Sequence, residues 1–299
     1  MMERMILRQL RDTEEDAEAV RTVASAAFDT SRALRGEPAA DWPPDRLARI
    51  DSRNRHLART DPGGCWLAVD DVGMPVGTVL STRREGTWGL ALFAVLPRAQ
   101  RRGIGRELMA AALLYGRACL RGIICGSRDP RAAATYRRAG FTLHPAMRLR
   151  GTVDKELKAR LPSLDGAVHE GTARHRDLMD SLDRRTRGGA HGPDHEEMLR
   201  HSRLLVVDEL TGSGYCYIGA DGDVELLAAT SRRLAGRLLT AALLSLPEGA
   251  EVAVENLTAE QEWAVDVGLA AGLELSNAGY VCLRGMRPPS PYIPSGAFL

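Results

Sequence analysis

Between Glu14 and Phe28, the apolar positions Ala17, Val20, Val23, Ala24 and Ala27 recur at near-helical spacing behind the short apolar run MILRQL. That pattern predicts a strand followed by an amphipathic helix. Pro38, Pro43 and Pro44 break it, and residues 45 to 59 resume it as a second, more charged helix. From Gly64 to Val95 the chain reads GCWLAVDDVGMPVGTVLSTRREGTWGLALFAV, with β-branched and aromatic positions punctuated by Gly, Asp and Pro. Three strands joined by turns follow from this alternation. Ile104, Leu108, Ala111, Ala112 and Tyr115 then share one helical face, and RGIICGS reads as a short buried strand. Residues 130 to 139 form a further helix, which Gly140 terminates ahead of the strand FTLHPAMRLRG. The expected first domain is α/β and ends near residue 152.

The remainder repeats this order loosely. HSRLLVVDELTGSGYCYIGADGDVELLAAT predicts three strands, SRRLAGRLLTAALLSL a helix, AEVAVEN a strand, TAEQEWAVDVGLAAG a helix and LELSNAGYVCLRG a last strand. A duplication explains 299 residues better than one oversized domain. We therefore expect domains at 1–152 and 165–299 joined by a linker at 153–164. The tail RPPSPYIPSGAFL cannot continue as a helix through its prolines. It either packs back through Tyr292, Ile293, Phe298 and Leu299 or runs over the surface as a strap.

Composition adds exclusions. With 40 Lys and Arg against 39 Asp and Glu, the formal charge is +1, which argues for neither a nucleic acid nor an anionic membrane as partner. Cys65, Cys119, Cys125, Cys216 and Cys282 are odd in number and widely spaced, without a zinc-ribbon or redox pair. The start MMERMILRQLRDTEED carries charge where a signal peptide has its apolar core, and no run of 18 apolar residues occurs. A cytoplasmic protein, monomeric or homodimeric, is the expectation.

The chemistry concentrates in VLPRAQRRGIGRELM. A strand running through a turn into a helix exposes amide N–H groups that converge on phosphate oxygens. Gly103 and Gly105 remove side chains that would block a pyrophosphate, and Arg101, Arg102 and Arg106 add positive charge. The spacing is neither that of a P-loop nor a complete dinucleotide fingerprint. By itself it suits an ordinary helix-starting turn as well as a ligand cradle.

Together with AAATYRRAGF and the strand order, this segment resembles the GNAT superfamily of acyl-coenzyme A N-acyltransferases. Gln100, Arg101, Arg102, Gly103, Ile104 and Gly105 occupy the family's pyrophosphate-loop signature, and Tyr136, Gly140 and Phe141 its Tyr-x-x-x-Gly-Phe signature. The resemblance implies two GNAT-like domains, each a mixed sheet splayed between its fourth and fifth strands and flanked by helices, with the pantetheine arm in the splay. It further implies that the Val95 backbone addresses the pantetheine or thioester carbonyl, that the amides of residues 100–105 hold the pyrophosphate, and that Tyr136 protonates or stabilises the departing thiolate. The cosubstrate would be acetyl-CoA, with longer acyl-CoA also compatible, and the acceptor a primary amine on a small molecule. In the second half SRRLAG replaces QRRGIG, and no tyrosine stands four residues before Gly272. A degenerate second domain is implied, as in tandem members of the superfamily.

The general base is open. TWGLALFAVL holds no carboxylate, which leaves Glu85, ordered water or an acid of the second half. No metal is expected: in HGPDHEEMLRH, Asp194 reads as a helix cap followed by first-turn glutamates, and His191, His195 and His201 lack the spacing of a known zinc motif. His56 and His144 are structural or approach the acceptor. Trp42 either packs or closes over the substrate, with Asp29, Asp41 and Asp45 favouring a cationic amine if they face it. Two other readings stand beside small-molecule transfer: an inactive coenzyme A-binding regulatory or structural protein, and a protein N-acetyltransferase.

Overall fold

The computed structural model describes residues 5–299; part of the charged start on which the absence of a signal segment rests lies outside them. The chain divides into two compact units, residues 1–83 with 88–119, and residues 84–87 with 120–299.

In the first unit, β1 (Ile6–Gln9) pairs antiparallel with β2 (Cys65–Val69), followed in the sheet by β3 (Pro75–Arg84) and β4 (Thr87–Val95). The predicted helices are α1 (Glu14–Ala33) and α2 (Pro44–Thr60). Thr13 caps α1 by accepting from the Asp16 amide, and Glu14, Glu15 and Asp16 place negative charge at the positive end of the helix dipole. Behind β4 runs α3 (Ile104–Tyr115), whose Leu108 and Ala112 are fully buried. Its last turn abuts Trp88, whose indole N–H donates to the Ala112 carbonyl at 3.0 Å. A Cβ on Gly116 would lie 2.2 Å from the Trp88 ring, so this close approach requires glycine.

The second unit contains β5 (Arg121–Gly126), α4 (Pro130–Arg138), β6 (Thr142–Thr152), α5 (Lys155–Arg160), β7 (His169–Glu170), α6 (Arg176–Thr186) and α7 (Asp194–His201). After these come β8 (Ser202–Glu209), β9 (Gly212–Gly219), β10 (Val224–Ala229), α8 (Arg232–Ser245), β11 (Glu251–Leu257), α9 (Glu262–Ala271), β12 (Glu274–Arg284) and β13 (Tyr292–Ile293). Its strand order is β5-β12-β6-β11-β10-β9-β8-β7, with β13 on β10. The last long strand, β12, therefore inserts between β5 and β6, from Leu283↔Thr142 to Glu274↔Arg150 on one side and Arg284↔Gly122 to Tyr280↔Gly126 on the other. Strands from the two halves of the sequence thus share one sheet. The core of this unit gathers Leu149 of β6, Leu227 of β10, Val254 of β11 and Leu234, Leu238 and Leu239 of α8.

The mixed α/β architecture agrees with the reading of the sequence. Within 153–164, read as linker, the short helix α5 forms, capped by Asp154. The tail packs inward: Tyr292, Ile293 and Leu299 are buried and Phe298 nearly so.

Candidate active site

At the end of β4 the chain passes through a 3-10 turn, Pro97–Ala99, and enters α3 at Gly103. Gly103 adopts φ +87°, and Arg101 two residues earlier adopts φ +64°. Left-handed residues in such a turn point successive N–H groups into one concavity. A Cβ on Gly103 would meet nothing nearer than the Arg106 guanidinium at 3.9 Å, so backbone conformation rather than crowding demands glycine there. Gly105 differs, since a Cβ would stand 3.2 Å from the Phe93 ring, and glycine lets α3 lie close on β4. Gly103 makes no side-chain cap, and its carbonyl accepts from the amides of Arg106 (2.9 Å) and Glu107 (3.1 Å). The earlier amides of the helix have no acceptor within it. Ile104 is buried and anchors the turn, whereas Arg101, Arg102 and Arg106 are exposed; Arg101 and Arg106 form no ion pair among the described residues. Gln100 folds back to donate to the Val95 carbonyl at 3.0 Å, tying the turn to the strand end. Residues 95 and 100–105 thus form one contiguous feature.

Tyr136 lies in the second unit, and the structure explains its signature locally. Asp129 caps α4 by accepting from the Arg131 amide at 2.8 Å, and Gly140 ends the helix at φ +87°. The Phe141 amide returns to the Tyr136 carbonyl at 3.1 Å, and the Gly140 amide to Arg137 at 3.0 Å, which is a Schellman-type stop. Phe141 is buried against Gly122, where a Cβ would approach its ring to 2.9 Å. Gly126 likewise leaves room for the Tyr136 ring. Tyr136 is 6% exposed, and its hydroxyl has no hydrogen-bond partner among the described residues. Burial pushes its pKa well above that of a free phenol, with the Cys282, Asp129 and Cys125 groups acting in the same sense. The side chain is a protonated donor at neutral pH.

The other residues singled out from the sequence have local partners. Glu85 sits in the β3–β4 turn at φ +44°, where its carboxylate takes Arg184 at 2.7 Å and the Ala190 amide at 3.0 Å. Arg184, then the Ala190 amide, hold its pKa below the usual carboxylate range, which weakens it as a base. Trp42 lies under the Arg46 guanidinium, 3.7 Å from the ring centroid, with Arg32 at 5.4 Å. Asp29 accepts from the Ala40 amide at 3.1 Å. His56 is buried on α2, and His144 on β6 contacts the Thr142 hydroxyl at 3.2 Å. Asp194 is not the cap of α7: Pro193 holds that position, and the Asp194 carboxylate pairs with Arg84 through contacts of 2.8 and 2.6 Å, both groups buried.

Sequence reasoning missed a buried polar network. Asp183 on α6 is fully buried, and its Oδ2 accepts from the His191 amide (3.0 Å), His191 Nδ1 (2.7 Å) and His195 Nε2 (3.0 Å), while Oδ1 accepts from the Tyr215 hydroxyl. Tyr217 contacts His195 Nδ1 at 3.2 Å, and Tyr292 contacts His191 Nε2 at 3.3 Å. Burial, then the positive charge of Arg187, lower the His191 pKa to about 4, more than the opposing pull of Asp183. Burial alone would raise Asp183, but the imidazole donors outweigh it and keep it ionised. Arg187 is buried with its guanidinium nitrogens unpartnered among the described residues and supplies the balancing charge. Asp183, His191 and His195 bring three ligand atoms within 4.8 Å and could hold a divalent ion. The same atoms are, however, saturated by mutual hydrogen bonds when both imidazoles are neutral, and a cation would have to displace those protons beside Arg187. The i, i+4 histidines were visible in the sequence; the carboxylate eight residues earlier and the three tyrosines converge only on folding.

No helix among the described residues is long and apolar enough to cross a membrane.

The acetyltransferase (GNAT) family model matches residues 28–141, which include both the turn at 100–105 and Tyr136. Among solved structures, a candidate acetyltransferase from Pyrococcus horikoshii is similar over 98% of this chain and 92% of its own, with a TM-score of 0.72 at 18% identity. A tandem GNAT protein from the clavulanic acid biosynthesis pathway is similar over 95% and 99%, with a TM-score of 0.61 at 15% identity. A GCN5-related N-acetyltransferase from Sphaerobacter thermophilus is similar over 94% and 95%, with a TM-score of 0.58 at 14% identity. The chain has the fold of GNAT acetyltransferases.

Proposed function

We propose that the protein is an acyl-CoA-dependent N-acyltransferase that moves an acetyl group from acetyl-CoA to a primary amine of a small molecule. The observation that carries this reading is the turn at residues 100–105, a glycine-opened helix start with backbone at positive φ at Arg101 and Gly103, inside the span of the matched family model. Amides and arginine charge there suit a pyrophosphate, and backbone at Val95 suits the pantetheine or thioester carbonyl. The neutral amine attacks the carbonyl carbon, its proton leaves to water or a base, and the C–S bond breaks from the tetrahedral intermediate. Tyr136 donates its phenolic proton to the departing thiolate, a role supported by its burial and by a hydroxyl that has no hydrogen-bond partner among the described residues. No covalent enzyme intermediate and no metal are needed; orientation of amine and thioester supplies much of the acceleration.

In this reading residues 1–152 form the catalytic domain, 153–164 the linker and 165–299 a degenerate partner. Acetyl-CoA is the favoured donor, and a longer acyl-CoA is also compatible. Five cysteines without a disulfide suit a reducing, cytoplasmic setting for a monomer or homodimer that binds neither nucleic acid nor membrane. The deciding experiment follows thiol release from acetyl-CoA across a panel of amino acids, polyamines and aminoglycosides, with a lysine peptide as the protein-acetylation control. Turnover confined to small amines supports the proposal, and turnover only with the peptide replaces the acceptor class. Tight acetyl-CoA binding without turnover on any amine favours the second reading, a coenzyme A-binding regulatory protein. The absence of a carboxylate from β4 and the engagement of Glu85 by Arg184 support that alternative.

A further inference from the structure

The second half repeats the elements of the proposed cofactor site: β10 leads into α8, as β4 leads into α3, and β11 follows. Along β10, β9 takes one edge throughout, from Val224↔Ile218 to Ala229↔Gly214. The other edge is shared. β11 reaches it in parallel at Val224↔Val254 and then diverges, its register against β6 slipping between Val254 and Leu257 around Asn256 at φ +61°. Into the gap comes β13, antiparallel to β10 at Leu227↔Ile293 and Ala228↔Tyr292. The Ala229 amide donates to the Pro291 carbonyl at 3.3 Å, and the Asn256 side chain crosses from β11 to donate to Pro294 at 3.3 Å. A peptide strand therefore satisfies the backbone groups that an open splay would expose.

The phosphate end of this site is closed as well. Ser231 caps α8 with its own hydroxyl, accepting from the Leu234 amide at 3.3 Å, and buried Leu234 stands where the first half has Gly103. Arg233 pairs with Asp165, Arg237 with Asp165 and Glu209, and Arg232 lies 3.9 Å from Glu260. Arg101 and Arg106, which form no ion pair among the described residues, correspond to Arg232 and Arg237, whose charges meet carboxylates of the chain itself.

We infer that the chain's own carboxy-terminal segment, Ser290–Ile293, is the permanent occupant of the second half's cofactor slot. The buried Asp183–His191–Tyr292 network pins it there. This rests on the proposed reading for the meaning of the slot, but the strand's residence is measured independently of any activity. The network then has a task that catalysis does not give it: Tyr292, fully buried, reaches His191, which Asp183 orients through Nδ1. Tyr292 acts as a positioning residue.

The test is hydrogen exchange on the full chain with and without acetyl-CoA, paired with native mass spectrometry. Peptides covering 227–229 and 290–293 should exchange as slowly as β12, acetyl-CoA should leave them unchanged, and one acetyl-CoA should bind per chain. Tyr292→Phe, which removes only the hydroxyl, should speed exchange at 290–293 about tenfold while β5, β12 and β6 keep their protection. A Tyr292→Gly/Ile293→Gly chain should extend the loss to 227–229. Fast exchange of 290–293 in the unaltered protein, release of that segment by acetyl-CoA, or two cofactors per chain would overturn the inference. If no acetyl-CoA binds while 290–293 stays protected and Tyr292→Phe loosens it, the strand assignment stands and the acyltransferase reading fails.

Discussion

Lowering the pH should destabilise the second unit in a window set by His191. In the unfolded chain this imidazole titrates near 6.5, whereas in the fold burial and the charge of Arg187 lower it to about 4. Between these values the unfolded chain holds a proton that the folded chain excludes, so stability falls as pH falls. The full displacement corresponds to about 3 kcal/mol, and between pH 7.5 and 5 the expected loss is about 2 kcal/mol. The groups facing His191 are Asp183 and Arg187 at the end of α6, His195 on α7 and Tyr292 on β13. Asp183 is also depressed, which acts in the same sense but below the window, where carboxylates of the unfolded chain take up protons. The assay is urea unfolding followed by tryptophan fluorescence at pH 7.5, 6 and 5, with His191→Asn as control. Asparagine retains an N–H donor for Asp183 without titrating. The variant should be less stable at pH 7.5 and lose little more by pH 5. A parallel decline in both proteins would refute the attribution to His191, and a flat wild-type profile would refute the excluded proton itself.

Three further outcomes are expected. Tyr136→Phe should lower kcat by about a hundredfold and leave the acetyl-CoA Kd within about threefold, read by steady-state kinetics and calorimetry; equal losses in both would make Tyr136 a packing residue. Gly103→Val should weaken acetyl-CoA binding by about tenfold or more, because a β-branched residue resists φ +87°, and salt should weaken wild-type binding through Arg101 and Arg106. Arg84→Met should destabilise the second unit by about 3–5 kcal/mol in urea unfolding, since Asp194 is left buried without its partner, and Arg84→Met/Asp194→Leu should recover much of that loss.

Legibility differed sharply between kinds of feature. Periodicity sufficed for α1, α2 and α3 because an amphipathic helix writes its buried face every third or fourth residue, and the left-handed positions at the start of α3, Gly103, and the end of α4, Gly140, show as glycine because other side chains resist positive φ. The Tyr136–Phe141 signature was readable because its geometry is local: one helix, one Schellman turn and one aromatic plug. Strand partners were not. Nothing in LELSNAGYVCLRG says that β12 inserts between β5 and β6, since a half-buried strand advertises its faces but not the edges it hydrogen-bonds. For the same reason the proline-rich tail gave two readings, packed or superficial, until β13 was seen on the free edge of β10.

What the sequence alone determined is thus the identity and order of the principal helices and strands, though not α5 in the expected linker or β13 in the tail, and the turn chemistry, each encoded within some ten residues. Tertiary structure decided which edges pair, which charges meet, and that Asp183, two histidines and three tyrosines share one dry cluster. Those contacts join positions as far apart as His191 and Tyr292, and their value depends on water being excluded from all of them together, a property that no local stretch of sequence possesses.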